Sequence, residues 1–465
     1  MKSPQTQTTP LHALLVTSLS SSLTPFMSSS ISVAIPSIGA EFGADVLTVN
    51  LLVTVFLASL AAFLLPFGRL ADLYGRKKIF LVGVSGYTFF SLLSAQASSV
   101  TVLMLAYALQ GVGGAMILST SVAILTSAFE AGERGKVLGI NATAVYTGLS
   151  VGPFLGGTLT YNFGWRSIFG LNCLVGLVTL GIALTKLKGE WLGTSGEKFD
   201  LAGSLLSASS LTAIIYGAST FSLGDVSRAL FFLGLVGIAA FILKEKSTKF
   251  PLLNIGLFSS NRAFTFSNLA ALINYSVTYA TALLLSFYLQ LVKQLDPQAA
   301  GLVLLVQPLF QVVVSPLAGR LSDRIEPRIV ASVGMALNSV GLFIFALLTP
   351  QSSLGLVAGN LVLMGIGFGL FSSPNTNAVM SAVSEAYYGV AASSLGTMRF
   401  LGQAFSMAVA ATIFAVYLKG FQIAAAPAGL LVQSTTVIFS VFAVLSVSGV
   451  AASLARGAIH HNVDK

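Results

Sequence analysis

The sequence predicts an all-α integral membrane protein of about 14 transmembrane helices, arranged as two six-helix parallel repeats with an inserted helix pair. Three observations carry that expectation. Of the 465 residues 55% are hydrophobic and only 8% charged, against about 25% charge in soluble domains. Apolar stretches recur from Leu11 to Leu454 with no polar domain between them, and many reach the length of about 20 residues that crosses a bilayer core as a helix. A short motif near the second stretch returns near the tenth: Gly68-Arg69-Leu70-Ala71-Asp72 and Gly319-Arg320-Leu321-Ser322-Asp323.

The first stretch follows a polar start containing Lys2 but runs to about Pro36. That is too long for a signal-peptide core of about 7–15 residues, so 11–36 is taken as a retained span. Breaks at charged or Gly/Pro-rich turns then place further spans near 48–67, 79–97, 100–128, 137–160, 166–185, 201–220, 228–243, 264–292, 298–318, 329–349, 354–374, 390–417 and 430–455. The repeated motif assigns six spans to each half, with 201–220 and 228–243 as the inserted pair, and parallel halves are a known transporter design. The expected organisation is a tail 1–10, a first bundle 11–187, a linker with the inserted pair 188–250, a second bundle 251–457 and a tail 458–465.

An even number of spans puts both termini on one side. With the N-terminus inside, inner loops hold most of the basic residues, among them Arg76, Lys77, Lys78, Lys188, Lys246 and Arg328, while outer loops keep Arg166, Arg228, Lys293 and Lys419. Cytoplasmic loops carry such an excess, so a cell membrane protein with cytoplasmic termini is expected. The net charge of +9 needs no nucleic-acid partner, since anchoring inner loops against an anionic leaflet accounts for it. Cys173 is the sole cysteine and excludes an internal disulfide.

The loop after the second span continues through Gly75, Arg76, Lys77 and Lys78. Glycine permits a tight reversal, and Asp72 can cap the next helix or pair with an arginine. A well-anchored turn is the plain reading. The echo through Gly319, Arg320, Asp323 and Arg324 favours a conformational latch. The fifth span contains Gly148, Gly152, Pro153, Gly156 and Gly157. Glycines four apart let another backbone approach, and proline frees a carbonyl, so the choice lies between helix packing and a hinge, with the hinge preferred.

These residues resemble the major facilitator superfamily and, within it, the fourteen-span drug/proton antiporter branch. The Gly68–Lys78 loop is similar to the superfamily's loop between spans two and three, and the span-five motif to its antiporter signature. Gly164-Trp165-Arg166, Pro251-Leu252-Leu253, Asn261-Arg262-Ala263-Phe264 and Thr397-Met398-Arg399-Phe400 are similar to the branch. The resemblance implies alternating access and multidrug efflux with proton antiport. Two departures stand against the last point. The span-four pattern Arg-x-x-Gln-Gly is here Tyr107-Ala108-Leu109-Gln110-Gly111, and many antiporters of the branch have an aspartate where span one reads Phe26-Met27-Ser28.

No predicted span carries an acid at mid-depth; Asp72 and Asp323 lie near span ends. Arg399 is the one charge placed inside a span, at a cost of roughly 2.5–3.5 kcal/mol if central. It either snorkels to brace the fold or meets an anionic or polar substrate group. Polar and aromatic residues expected to line a cavity are Phe26, Met27, Tyr107, Gln110, Asn274, Tyr275, Gln307, Gln311 and Asn375, beside Arg399. Their helix faces stay open at this level.

His12, His460 and His461 lie near the termini and no cluster offers metal-ligand or nucleophile–base spacing, which speaks against an enzyme. No phosphate-binding loop for an ATP-driven pump occurs. A channel would require a filter or charge ring rather than a duplicated motif. The expected function is a cofactor-free, monomeric secondary transporter exporting lipophilic small molecules. Its partners are a small amphiphilic substrate, the bilayer and, by resemblance, protons. The alternative is a facilitator or exporter of a neutral or anionic metabolite or lipid without strict proton coupling.

Overall fold

The computed structural model describes residues 10–129, 134–191, 198–221, 224–249, 251–253, 255–322, 325–383, 388–418, 421 and 426–457. Its regular structure is helical: α1 Pro10–Phe42, α2 Val46–Tyr74, α3 Arg76–Ala95, α4 Val100–Ala128, α5 Arg134–Phe163, α6 Arg166–Lys186, α7 Leu201–Ser219, α8 Asp225–Ser247 and the short α9 Ile255–Ser260. There follow α10 Arg262–Thr278, α11 Thr281–Phe287 with a π-helical turn Tyr288–Val292, α12 Pro297–Ser322, α13 Pro327–Phe345, α14 Leu354–Ser381, α15 Tyr388–Tyr417 and α16 Ala428–Ala455.

Among the described residues 12 helices are long and apolar enough to cross a membrane, with α10, α11 and the π turn counting as one. Two stretches also expected as spans, α1 and α5, lie outside that set, although they run to 33 and 30 residues. Serine in α1 and glycine in α5 dilute their apolar character. Helix starts obey capping chemistry, because the first free N–H groups need acceptors. Asp45 accepts from Thr48 N at 2.9 Å, Asp200 from Gly203 N at 2.8 Å, and Asn261 from Phe264 N at 2.9 Å.

One boundary differs from the sequence reading in a way that matters. The Gly68–Tyr74 segment is the last two turns of α2, and the reversal is confined to Gly75, whose φ of +115° suits glycine.

Helices α1 to α6 pack on one another, as do α10 to α16, and the two groups meet through α5 on α12, α2 on α15 and α1 on α11. The α7–α8 hairpin packs on both α2 and α15, and Thr412 of α15 donates to the Ala218 carbonyl at 2.7 Å. Small residues on α5 explain how closely it meets both α1 and α12. Cβ atoms built on Gly148 and Gly156 would lie 2.6 Å from the Ser22 carbonyl oxygen and 2.8 Å from Ser30 Cα, while Ser30 Oγ donates to the Gly152 carbonyl at 2.9 Å. Small residues on both helices let the backbones meet. The other face of α5 brings Gly157 against the Pro297 carbonyl and the Pro153 carbonyl against Gly301 of α12.

Candidate substrate site and gates

Arg399 of α15 sits between the two groups of helices. Its Cζ lies 5.4 Å from the Tyr275 ring centroid and 5.6 Å from that of Phe400, distances at which a cation is attracted to an aromatic face. Its Nε is buried without a hydrogen-bond partner, and no carboxylate pairs with it among the described residues. Tyr146 of α5 and Tyr279, just before α11, lie within its electrostatic reach, and Tyr279 also faces Ser28 of α1. The Tyr146 hydroxyl meets Ser372 Oγ of α14 at 2.5 Å, and Ser150 Oγ donates to the Pro308 carbonyl at 3.1 Å. Tyr146, Tyr275, Tyr279 and Phe400 therefore surround one cation, with Ser28 of α1 behind Tyr279 and Ser372 of α14 behind Tyr146.

The other expected cavity residues separate into two environments. Tyr107 is fully buried, stacked on Phe56 with ring centroids 4.3 Å apart, and Gln110 lies beside the Tyr87 hydroxyl. Tyr87 donates to the Leu23 carbonyl at 3.1 Å and accepts from Asn172 at 3.0 Å, so the Tyr87 network belongs to the interior of the first helix group, while Tyr107 also faces Tyr279 of the second. Met27 is fully buried, while Phe26 is half-buried with its carbonyl against Gly152. Asn274 accepts from Asn338 Nδ2 at 3.2 Å, inside the second group. Gln307 is half-buried; Gln311 Nε2 and Asn375 Oδ1 are buried without partners. Tyr146 and Ser372 are absent from the expected set. Tyr146 sits two residues before the glycine motif, which is the one hint the sequence held.

At the end of the molecule that carries the repeated motif, here termed the basic end, Arg76 donates through Nε and Nη2 to Asp72 Oδ1 at 2.9 and 2.7 Å. Its Nη1 reaches Ser127 Oγ at 2.6 Å and the Ala123 carbonyl at 3.2 Å. Asp72 does not cap α3, because the N-cap is Gly75 with no side-chain bond. The arginine instead ties the ends of α2 and α3 to the end of α4. Glu190 fills the space beside Gly75, where a Cβ would come within 2.6 Å of its carboxyl carbon, and it accepts from Lys77 N at 2.7 Å. In the second copy, a Cβ on Gly319 would lie 2.8 Å from Ser373 Oγ, Asn377 donates to Ser322 Oγ at 3.3 Å, and Arg320 is exposed. Asp323 and Arg324 lie outside the described residues.

The opposite end is held by different chemistry. Arg166 donates to Glu41 at 2.6 Å and to the Ala97 carbonyl at 2.9 Å, stacks 4.3 Å from the Trp165 ring, and Trp165 Nε1 donates to Glu41 at 2.7 Å. That clamp joins the end of α1 to the α3–α4 and α5–α6 turns. Across the two groups, Gln290 of the π turn donates to the Val33 carbonyl at 2.9 Å.

The linker residues also have positions. Glu245 accepts from Leu253 N at 3.0 Å, Asn261 donates to the Ala382 carbonyl at 2.5 Å, and Arg262 donates to the Ala455 carbonyl at 2.8 Å. Asp200 pairs with Lys244. Burial pushes its carboxyl up, but hydrogen bonds from Lys244 and Gly203 N outweigh that and leave it below the usual aspartate value.

The sequence profile of the Major Facilitator Superfamily matches residues 17–407 and 268–462. The chain is 31% identical over 388 residues to the riboflavin transporter RibZ of Clostridioides difficile, covering 83% of this chain and 84% of that one. It is 31% identical to the cephamycin export protein CmcT of Amycolatopsis lactamdurans, covering 86% and 84%. It is 30% identical to the multidrug resistance protein Stp of Mycobacterium tuberculosis, covering 84% and 73%. In fold it is similar to a bacterial homolog of the human lysosomal transporter Spinster, solved inward-facing and unoccupied, with a TM-score of 0.68 at 16% identity and 96% of each chain covered. A profile match over most of the length, with a transporter and an export protein 31% identical over more than four fifths of the chain, leaves one assignment: the chain belongs to the major facilitator superfamily and is a multi-pass membrane transporter, not an enzyme.

Proposed function

We propose that this transporter works by alternating access and exports neutral or weakly anionic amphiphiles, with Arg399 as the charge partner. The observation that carries this reading is the lone, partly desolvated Arg399, held among Tyr146, Tyr275, Tyr279 and Phe400. An unpaired charge in a low-dielectric site is costly, and an anionic or acceptor-rich ligand offsets that cost. A lipophilic cation finds no counter-charge there among the described residues. The names of CmcT and Stp support export and a drug-like substrate, and that of RibZ supports a polar aromatic one.

In this reading α1 and α5 also span the bilayer, giving fourteen spans as in the drug/proton antiporter branch. Helices α1–α6 and α10–α16 are the two rocking units, and α7–α8 is the inserted pair. The basic end, with both termini, faces the cytoplasm of a cell membrane. Asp72 and Arg76 form part of a latch, and Pro153 with its glycines a hinge. Strict proton coupling is not expected unless Asp72 or Asp323 supplies it.

The test is flux in proteoliposomes with an imposed pH gradient, comparing the cation ethidium with the anion 1-anilinonaphthalene-8-sulfonate. Wild type should move the anion and Arg399→Gln should lose it about tenfold or more, since hydrogen bonds to charged groups contribute about 1.5–3 kcal/mol. Gradient-driven ethidium accumulation that survives both Arg399→Gln and Asp72→Asn would replace this reading by proton-coupled multidrug antiport.

A further inference from the structure

A cleft of about 450 Å³ opens on the membrane-facing side of α7, lined by Leu205, Ala208, Ser209, Thr212 and Tyr216, with Phe63 of α2 on one wall and Leu230 of α8 at one end. At 1.5 Å per residue it runs from about 7 to about 24 Å beyond the Asp200 cap, which is hydrocarbon depth. Nothing aqueous fills an apolar cleft there, so its occupant carries a hydrocarbon or aromatic body.

Two features say more about that occupant. The inner wall is thin: Ala208 and Leu211 of α7 pack with Ala62 and Phe63 of α2 and with Leu401 of α15. Leu401 follows Phe400, whose ring accompanies Arg399. The cleft thus adjoins the α2–α15 seam, and on α15 the seam residue Leu401 lies two positions beyond Arg399. The seam closes on a small residue, because a Cβ on Gly396 would lie 3.1 Å from Leu64 Cδ2. Lys198, exposed, precedes the foot of α7, and Lys246, also exposed, ends α8 at the same level, which suits an anionic head held at the membrane surface.

We infer that this cleft is a portal by which an anionic amphiphile dissolved in the bilayer reaches the central site. Its head lies at the basic rim near Lys198 and Lys246 and its apolar body lies along α7, until the α2–α15 seam parts. The inference rests on the carrier reading above and adds the route and the phase from which substrate is taken. The inserted hairpin then has a function, as the outer wall of a membrane-side gate.

The experiment uses the full chain in proteoliposomes with Cys173→Ser. A bimane fluorophore is attached at Ser209→Cys, inside the cleft, or at Leu243→Cys, a membrane-facing control on α8 that is 67% exposed. The probe is 11-bromoundecanoate, whose bromine quenches on contact. Quenching should saturate at position 209 and rise linearly with membrane probe content at position 243. Thr212→Phe, at an exposed lining position, should abolish the saturable phase and slow flux of the probe at least fivefold, with binding in detergent unchanged within twofold. Linear quenching at both positions overturns the proposal, as does full-rate flux through Thr212→Phe. Failure of the carrier reading looks different: wild type then moves no amphiphile of either charge, whatever the quenching shows.

Discussion

Gln290 Nε2 donates both to the Val33 carbonyl at 2.9 Å and to Ser286 Oγ at 2.8 Å. One amide on a π-helical turn thereby bridges α1 and the α10–α11 span at the end remote from the basic loops. The widened turn is what aims the side chain across, and such turns recur at functional sites.

If that bridge helps hold this end shut, Gln290→Ala should shift the carrier toward the state open at that end. A hydrogen bond contributes about 0.5–1.5 kcal/mol, so the equilibrium should move roughly two- to twelvefold. Spin-label distances between Val46→Cys and Lys293→Cys in a Cys173→Ser background would report the longer population. An unchanged distribution would make the bridge incidental.

At the basic end, Arg76 holds Asp72 and also Ser127 and the Ala123 carbonyl. The ion pair is part-exposed, with side chains 18% and 37% accessible, and such pairs contribute about 0.2–1 kcal/mol. Asp72→Asn should lower flux up to about fivefold at matched protein level. Arg76→Ala should cost more, because it also releases the end of α4. Equal effects would remove α4 from the latch.

The seam between α1 and α5 gives a paired test. Gly156→Ala places its Cβ 2.8 Å from Ser30 Cα, whereas Gly181→Ala on α6 meets nothing within 4 Å. The first should destabilise by about 1–3 kcal/mol through overpacking, and the second should be neutral or stabilising by up to ~1 kcal/mol through helix propensity. Thermal unfolding in a single detergent reads both, and similar midpoints would refute tight backbone packing there.

Acid should loosen the α7–α8 hairpin. Because Asp200 is held below its usual range, its contribution is full above the unfolded value of about 3.9 and disappears as pH falls through the lower folded one. Wild type should therefore lose thermal stability toward pH 3 with a component missing from Asp200→Asn. Parallel pH profiles for the two would show that the Lys244 pair contributes nothing.

Much of the helix order was legible because it follows from the length of apolar segments and from the charged or Gly/Pro-rich breaks between them. The end of α2 was misjudged because Gly68 and Asp72 have the look of a turn in isolation, while helical hydrogen bonding runs through them to Tyr74. The site was less legible. A helix that is apolar on every side gives no clue to which face looks inward. Tyr107 and Tyr275 therefore read alike, although one is stacked on Phe56 and the other lies under Arg399. Arg399 itself stood out because a lone charge in a span demands an explanation.

The two faces of α5 carry a consequence for how motion is resisted. Toward α1 it presents Gly148, Gly152 and Gly156; toward α12 it presents Pro153 and Gly157. At Gly148, Gly156, Gly157 and the Pro153 carbonyl, backbone meets backbone of the neighbouring helix. Sliding there needs no rotamer to be unseated and no cavity to open. Two hydroxyls bond across the same joint, Tyr146 to Ser372 of α14 and Ser150 to the Pro308 carbonyl of α12. In the alternating-access reading proposed above, α5 would act as a plain bearing fitted with two catches, both of which each stroke has to release.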